Sequence, residues 1–144
     1  MTRLRHATLA AIARDLADGT VTARQLAEES LARIADPHGE GARAFIRLDP
    51  AKVMHEADVQ DSLRRAGREA SPFAGIPFGI KDLFDVAGEV TTAGSKLLAG
   101  EKPAETDSDP VAALRRAGMV PLGRTNMTEF AYSGVGLNPH YGTP

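Results

Sequence analysis

The 144-residue sequence contains no cysteine. That absence removes disulfide frameworks, thiolate metal ligands and a cysteine nucleophile together, and makes a reducing, cytoplasmic compartment the expectation. An excess of positive charge is also missing: 17 Lys and Arg stand against 19 Asp and Glu, a formal net charge of −2. Such a surface offers no footprint for a polyanion, so nucleic acid is not an expected partner. Long apolar runs are absent too. The basic start Met1-Thr2-Arg3-Leu4-Arg5-His6 is not followed by a signal-peptide core, because Arg14 and Asp15 interrupt, and nothing else approaches a membrane span. The expectation is a chain with neither leader nor membrane segment. What remains is ordinary for a globular protein, with 42% hydrophobic and 25% charged residues.

The first 70 residues read as helical. Leu9, Ile12, Ala13 and Leu16 fall on one stripe of an amphipathic helix that Gly19 ends. Thr22 and Gln25 have capping-box spacing and predict a second helix presenting Leu26, Leu31 and Ile34, which stops before Pro37. Ala44 to Leu48 reads as a short extended piece. Asp49-Pro50 then reads as an N-cap with proline at the first helical position, and Val53, Met54, Ala57 and Leu63 recur at near-helical intervals up to Gly67.

After Ser71-Pro72 the texture changes to short β-prone runs punctuated by Gly75, Gly79, Gly88, Gly94 and Gly100. Ser108-Asp109-Pro110 opens a further helix with Leu114 on its apolar face, and Gly118 closes it before a strand candidate at Met119 to Leu122. Asn126 and Glu129 predict one more helix start, and Ser133 to Pro144 reads as loop. A helix feeding a strand through one glycine is α/β grammar. The expected organisation is one incomplete domain, with residues 1–70 a helical lead-in and residues 71–144 the first part of an α/β core.

Familiar catalytic patterns fail one by one. His55-Glu56 begins a zinc-protease helix motif, but Val59 stands where the second histidine is needed. With four scattered histidines and no cysteine, no metal is expected. Gly134-Val135-Gly136 lacks the third glycine of a dinucleotide loop, since Pro139 replaces it, and Gly75 to Lys81 lacks phosphate-loop spacing. No cofactor is expected. Ser95 and Ser133 are glycine-flanked, but neither sits in a hydrolase serine motif, and both read as turn hydroxyls.

Lys81 differs from these. It closes the apolar run from Phe73 to Ile80 and precedes Asp82-Leu83-Phe84-Asp85. A lysine in a segment that favours burial either lowers its pKa and becomes a neutral base or pairs with a neighbour such as Asp82 or Asp85. On residue chemistry alone the ion pair is the commoner outcome.

Four blocks carry a resemblance that tips the balance: Gly75-Ile76-Pro77-Phe78-Gly79-Ile80-Lys81-Asp82, Thr91-Thr92-Ala93-Gly94-Ser95, the helix from Asp109 to Gly118, and Gly123-Arg124-Thr125-Asn126-Met127-Thr128-Glu129-Phe130-Ala131. In this order, over about half the chain, they resemble the N-terminal half of the amidase signature family. The resemblance implies a mixed sheet flanked by helices, with only the N-terminal helices and first strands present. It implies a hydrolase that cleaves a carboxamide through a Ser-cis-Ser-Lys triad, with Lys81 matching the base. The bridging and nucleophilic serines of that pattern belong to a Gly-Gly-Ser-Ser-Gly-Gly segment and beyond, past the block matching Asn138 to Pro144. The expectation is therefore a fragment that carries the lysine and is inactive alone. Ala131, Tyr132 and Ser133 match positions that line the family's substrate pocket, although Tyr132 and Met127 also suit core packing.

The partner implied is a small-molecule amide, without nucleic acid or membrane, and a homo-oligomer is left open. Within the family, the alternative is the glutaminase component of a tRNA-dependent amidotransferase. Its usual Met-Gly-Ser-Ser-Thr is replaced here by Tyr132-Ser133-Gly134-Val135-Gly136, which favours a free-standing amidase. From another class, a non-catalytic helical interaction module fits the amphipathic N-terminal helices but leaves the Lys81 block unexplained.

Overall fold

The computed structural model describes residues 7–144, so the reading of Met1 to His6 lies outside the described residues. Thr8 starts the first helix: its hydroxyl accepts from the Ala11 amide at 3.2 Å, and α1 runs Leu9–Ala17. Ile12, Ala13 and Leu16 are buried, while Leu9, the first member of the expected stripe, stays exposed. The Thr22 capping box forms as the spacing predicts. The Thr22 amide donates to Gln25 Oε1 at 2.9 Å, the Gln25 amide donates to Thr22 Oγ1 at 3.1 Å, and α2 follows at Ala23–Ala35. A short turn of helix, α3 (Gly41–Ala44), leads into β1 (Phe45–Leu48), the extended piece expected there. Asp49 then caps α4 (Pro50–Arg65) by accepting from the Lys52 amide at 3.1 Å. The remaining helices and strands include β2 (Pro77–Lys81), α5 (Asp109–Arg116) and β3 (Val120–Thr125).

Gly118 shows why glycine separates α5 from β3. It sits at φ +79, and a Cβ there would meet the Ala74 Cβ at 2.8 Å. The sheet has the order β1-β3-β2, with β1 antiparallel to β3 and Arg47 opposite Arg124. The architecture is α/β, a small mixed sheet flanked by helices.

Two expectations need correction. Val111, not Leu114, is the buried residue of α5, and Leu114 remains 36% exposed. The helix expected from Asn126 is only a one-turn 3-10 helix, Glu129–Ala131. The Asn126 side chain does not cap it. Its amide nitrogen donates to the Arg43 and Gly142 carbonyls, both at 2.9 Å, and Phe130 and Ala131 take φ +55, which no α-helix tolerates.

The chain forms two units. The first comprises Met1–Arg33, Asp49–Phe78 and Leu114–Leu122, and the second Ile34–Leu48, Gly79–Ala113 and Gly123–Pro144. In the first, Ile12, Ala13, Leu16, Val21, Leu26 and Ile76 make an apolar cluster with Met119 packed on it. Buried Asp61 in α4 accepts from the amides of Ala23 at 2.7 Å and Arg24 at 3.0 Å, satisfying donors that the start of α2 would otherwise leave open. In the second unit, the buried residues include Ile80, Val86 and Met127, but also Asp82, Thr92, Ser95, Arg124 and Asn138. Among the described residues, no helix is long and apolar enough to cross a membrane.

Candidate active site

Lys81 is the last residue of β2, in the second unit. Strand side chains alternate between faces, and here Ile80 is 4% exposed, Lys81 exposed and Asp82 fully buried. Only part of the apolar run before Lys81 is buried, and Phe73 is 41% exposed. Among the described residues, the Lys81 ammonium makes neither an ion pair nor a hydrogen bond. Of the commoner outcome for such a lysine, an ion pair with Asp82 or Asp85 at a strand end with its head in water, the strand end and the exposure are found. The ion pair is not, Asp82 being committed elsewhere.

Asp82 is the centre of a polar network. Its Oδ1 accepts from Arg124 Nε at 3.0 Å and lies 3.5 Å from Arg47 Nη2. Its Oδ2 accepts from the Thr92 hydroxyl and from the Gly94 amide at 3.0 Å. The backbone adds two bonds: the Asp82 amide donates to the Thr125 carbonyl at 3.2 Å, and the Asp82 carbonyl accepts from the Ala93 amide at 2.9 Å. Arg124, 1% exposed, also donates to Thr91 Oγ1 at 3.1 Å and stands 4.0 Å from Glu89. Charge-assisted bonds of this kind are the stronger class, and burying either partner alone would be expensive. Arg124 went unread as a buried partner in the sequence. A signal existed, since in β3 it continues the alternation of buried Val120 and Leu122.

A second network lies in the same unit. Ser95, fully buried, donates from Oγ to Glu129 Oε1 at 2.5 Å, and His140 Nε2 is 2.7 Å from the same oxygen. The Ser95 hydroxyl, and after it His140, hold the Glu129 carboxyl below its ordinary value. Ser95 also accepts from the Leu97 amide at 3.2 Å, so it cross-links a turn, as expected. Buried Asn138 donates to the Gly94 and Met127 carbonyls at 2.8 and 2.7 Å.

Ala131, Tyr132 and Ser133, at and just after the end of the one-turn helix, are all exposed, Tyr132 at 93%. Met127 packs inside and Tyr132 does not. The Lys81 segment and this one are joined through Ala93: its amide donates to Asp82, and its carbonyl accepts from the Phe130 amide at 2.9 Å. Ala93, Phe130 and Ala131 are the non-glycine residues at positive φ among the described residues. Such backbone strain gathers at functional sites. The arrangement presents one unpaired primary amine at the end of a strand whose flanking residues face inward.

A family model described as Amidase matches residues 25–144. AtzE of Pseudomonas sp. (strain ADP), part of a 1-carboxybiuret hydrolase, is 41% identical over 127 residues, covering 88% of this chain and 28% of that protein. A glutamyl-tRNA(Gln) amidotransferase component from Cupriavidus metallidurans is 43% identical, over 94% of this chain and 26% of its own length. Among solved structures, the native peptide amidase of Stenotrophomonas maltophilia superposes with a TM-score of 0.85 at 33% identity, covering 99% of this chain and 30% of that one. The chain thus spans under a third of the length of each of these proteins.

Proposed function

Because the chain belongs to the amidase family, we propose that it serves the hydrolysis of a carboxamide to a carboxylate and ammonia or an amine, with Lys81 as the base of a Ser-cis-Ser-Lys triad. The observation that carries this reading is the unpaired Lys81 amine, held at a strand end between inward-facing Ile80 and Asp82. Neutral Lys81 accepts a proton relayed by the bridging serine, and the nucleophilic serine attacks the amide carbonyl. The amine leaves, and water then releases the acyl group. No Gly-Gly-Ser-Ser-Gly-Gly segment occurs among these 144 residues, so the chain as it stands supplies the base without its serines. It is expected to show no turnover alone. Exposed Ala131, Tyr132 and Ser133 would meet the acyl part of a small-molecule amide.

A second reading, the glutaminase component of a tRNA-dependent amidotransferase, is favoured by the glutamyl-tRNA(Gln) amidotransferase relatives at 39–43% identity. Glutamine would then be the amide.

The test puts residues 1–144 in place of the matching segment of the peptide amidase and measures amine release from peptide amides, simple carboxamides and glutamine. In Lys81→Arg the guanidinium stays protonated near neutral pH and cannot accept the relayed proton, so the rate is expected to fall about a hundredfold to ten-thousandfold. Melting temperatures measured alongside exclude unfolding. A Lys81→Arg enzyme that keeps most of its rate overturns the base assignment, and turnover confined to glutamine selects the second reading.

A further inference from the structure

We propose that Asp82, clamped by Arg124, is the positioning residue of Lys81; the inference rests on the base reading above and goes beyond it. β2 lies at one edge of the described sheet, with β3 as its neighbour, and Lys81 is its last residue. A strand end in that position is free on one side and tends to fray. Asp82 ties that strand end down. Through its side chain and its own backbone N–H and C=O it bonds Arg124 and Thr125 of β3 and Thr92, Ala93 and Gly94 of the loop that follows β2.

The pair's role is geometric. Lys81 and Asp82 face opposite ways, and no bond joins their side chains. The charges gathered around Asp82 are of both signs, Asp82 and Glu89 against Arg124 and Arg47. Stability alone gives no reason to keep such a pair, because well-packed apolar residues of similar volume hold a buried site as well or better. What apolar residues cannot do is bond Thr92 and Gly94 directionally and so fix the turn beside Lys81.

The deciding variant removes both charges, Asp82→Val with Arg124→Met. In the exchanged peptide amidase it leaves the buried Thr92 hydroxyl and Gly94 amide without their acceptor, so it is expected to melt below the parent yet stay folded at the assay temperature. Meanwhile kcat should fall on the order of a hundredfold, the usual effect of a misplaced catalytic group. KM should hold, since substrate contacts are untouched. A stable double variant with the parent kcat overturns the proposal. A loss of fold alone cannot mimic the expected result, because the melting temperature is read in the same sample. If Lys81→Arg leaves that enzyme unimpaired, the base reading fails separately. Positioning is then read in the 144-residue chain, where the Lys81 amide order parameter should drop from about 0.85 to below about 0.6 in the double variant. An unchanged order parameter overturns it.

Discussion

The two units are opposites in what they hide. Of the seven buried polar or charged side chains among the described residues, five lie in the second unit, namely Asp82, Thr92, Ser95, Arg124 and Asn138. That unit also exposes the large apolar side chains of Leu83, Phe84, Leu97, Phe130, Tyr132, Val135 and Leu137, whereas among the described residues the first exposes Leu9, Val59, Phe73 and Leu114. The first unit is specified by volume, through one apolar cluster and well-capped helices. The second is specified by directional bonds that meet at Asp82, Glu129 and Asn138. Apolar packing yields more net stability, while hydrogen bonds yield less but fix distance and angle. A unit that must aim an amine benefits from the latter.

The comparison breaks most readily at Asp82. Asp82→Asn leaves the Arg124 guanidinium buried without its counter-charge and is expected to cost about 3–5 kcal/mol in denaturant unfolding. If the loss is below about 1 kcal/mol, the second unit is not held by its ion pair. In the first unit, Leu16→Ala deletes a side chain that is 1% exposed and is expected to cost about 3 kcal/mol as transfer and cavity terms add. A near-neutral result would mean the apolar cluster is loosely packed. Asp61→Ala removes the acceptor for two helix-start amides and is expected to cost about 2 kcal/mol, the upper end for a cap.

The smallest effect concerns pH. The folded Glu129 carboxyl lies below its ordinary 4.5, so its contribution is complete above 4.5 and is lost as pH falls through the lower folded value. Glu129→Gln should therefore melt below the parent at neutral pH, and the gap should close as the pH falls below 4.5. Parallel melting curves across that range would show that Ser95 and His140 do not stabilise the charged form.

Local chemistry made much of the fold legible. The Thr22–Gln25 box, the Asp49 cap and the glycine stops at Gly19, Gly67 and Gly118 each depend on residues a few positions apart, and each forms. The failures share a cause. Asn126 and Glu129 have the spacing of a helix start, but their side chains bond residues 43 and 142, and residues 95 and 140. No local pattern announces partners that distant. The same holds for Asp82, whose partner Arg124 is 42 positions away. Lys81 was legible as an unusual lysine from its apolar neighbours, yet it is exposed because strand alternation sends Ile80 and Asp82 inward instead.

The strand order has a consequence for the time course of folding. β1 and β2 are not neighbours in the sheet, and each finds its strand partner in β3. A ribosome that emits about 5–20 residues per second therefore delivers the two outer strands seconds before the strand that joins them. During that interval their amides and carbonyls have no sheet partner, and Arg124, the counter-ion of Asp82, has not yet been made. Helices α1, α2 and α4 precede β2 in the chain, and the Asp61 bonds that join α4 to the start of α2 need no residue of the sheet. Closure of the sheet and pairing of the buried carboxylate both wait on β3, because that one strand brings the partner of the outer strands and the Arg124 guanidinium together.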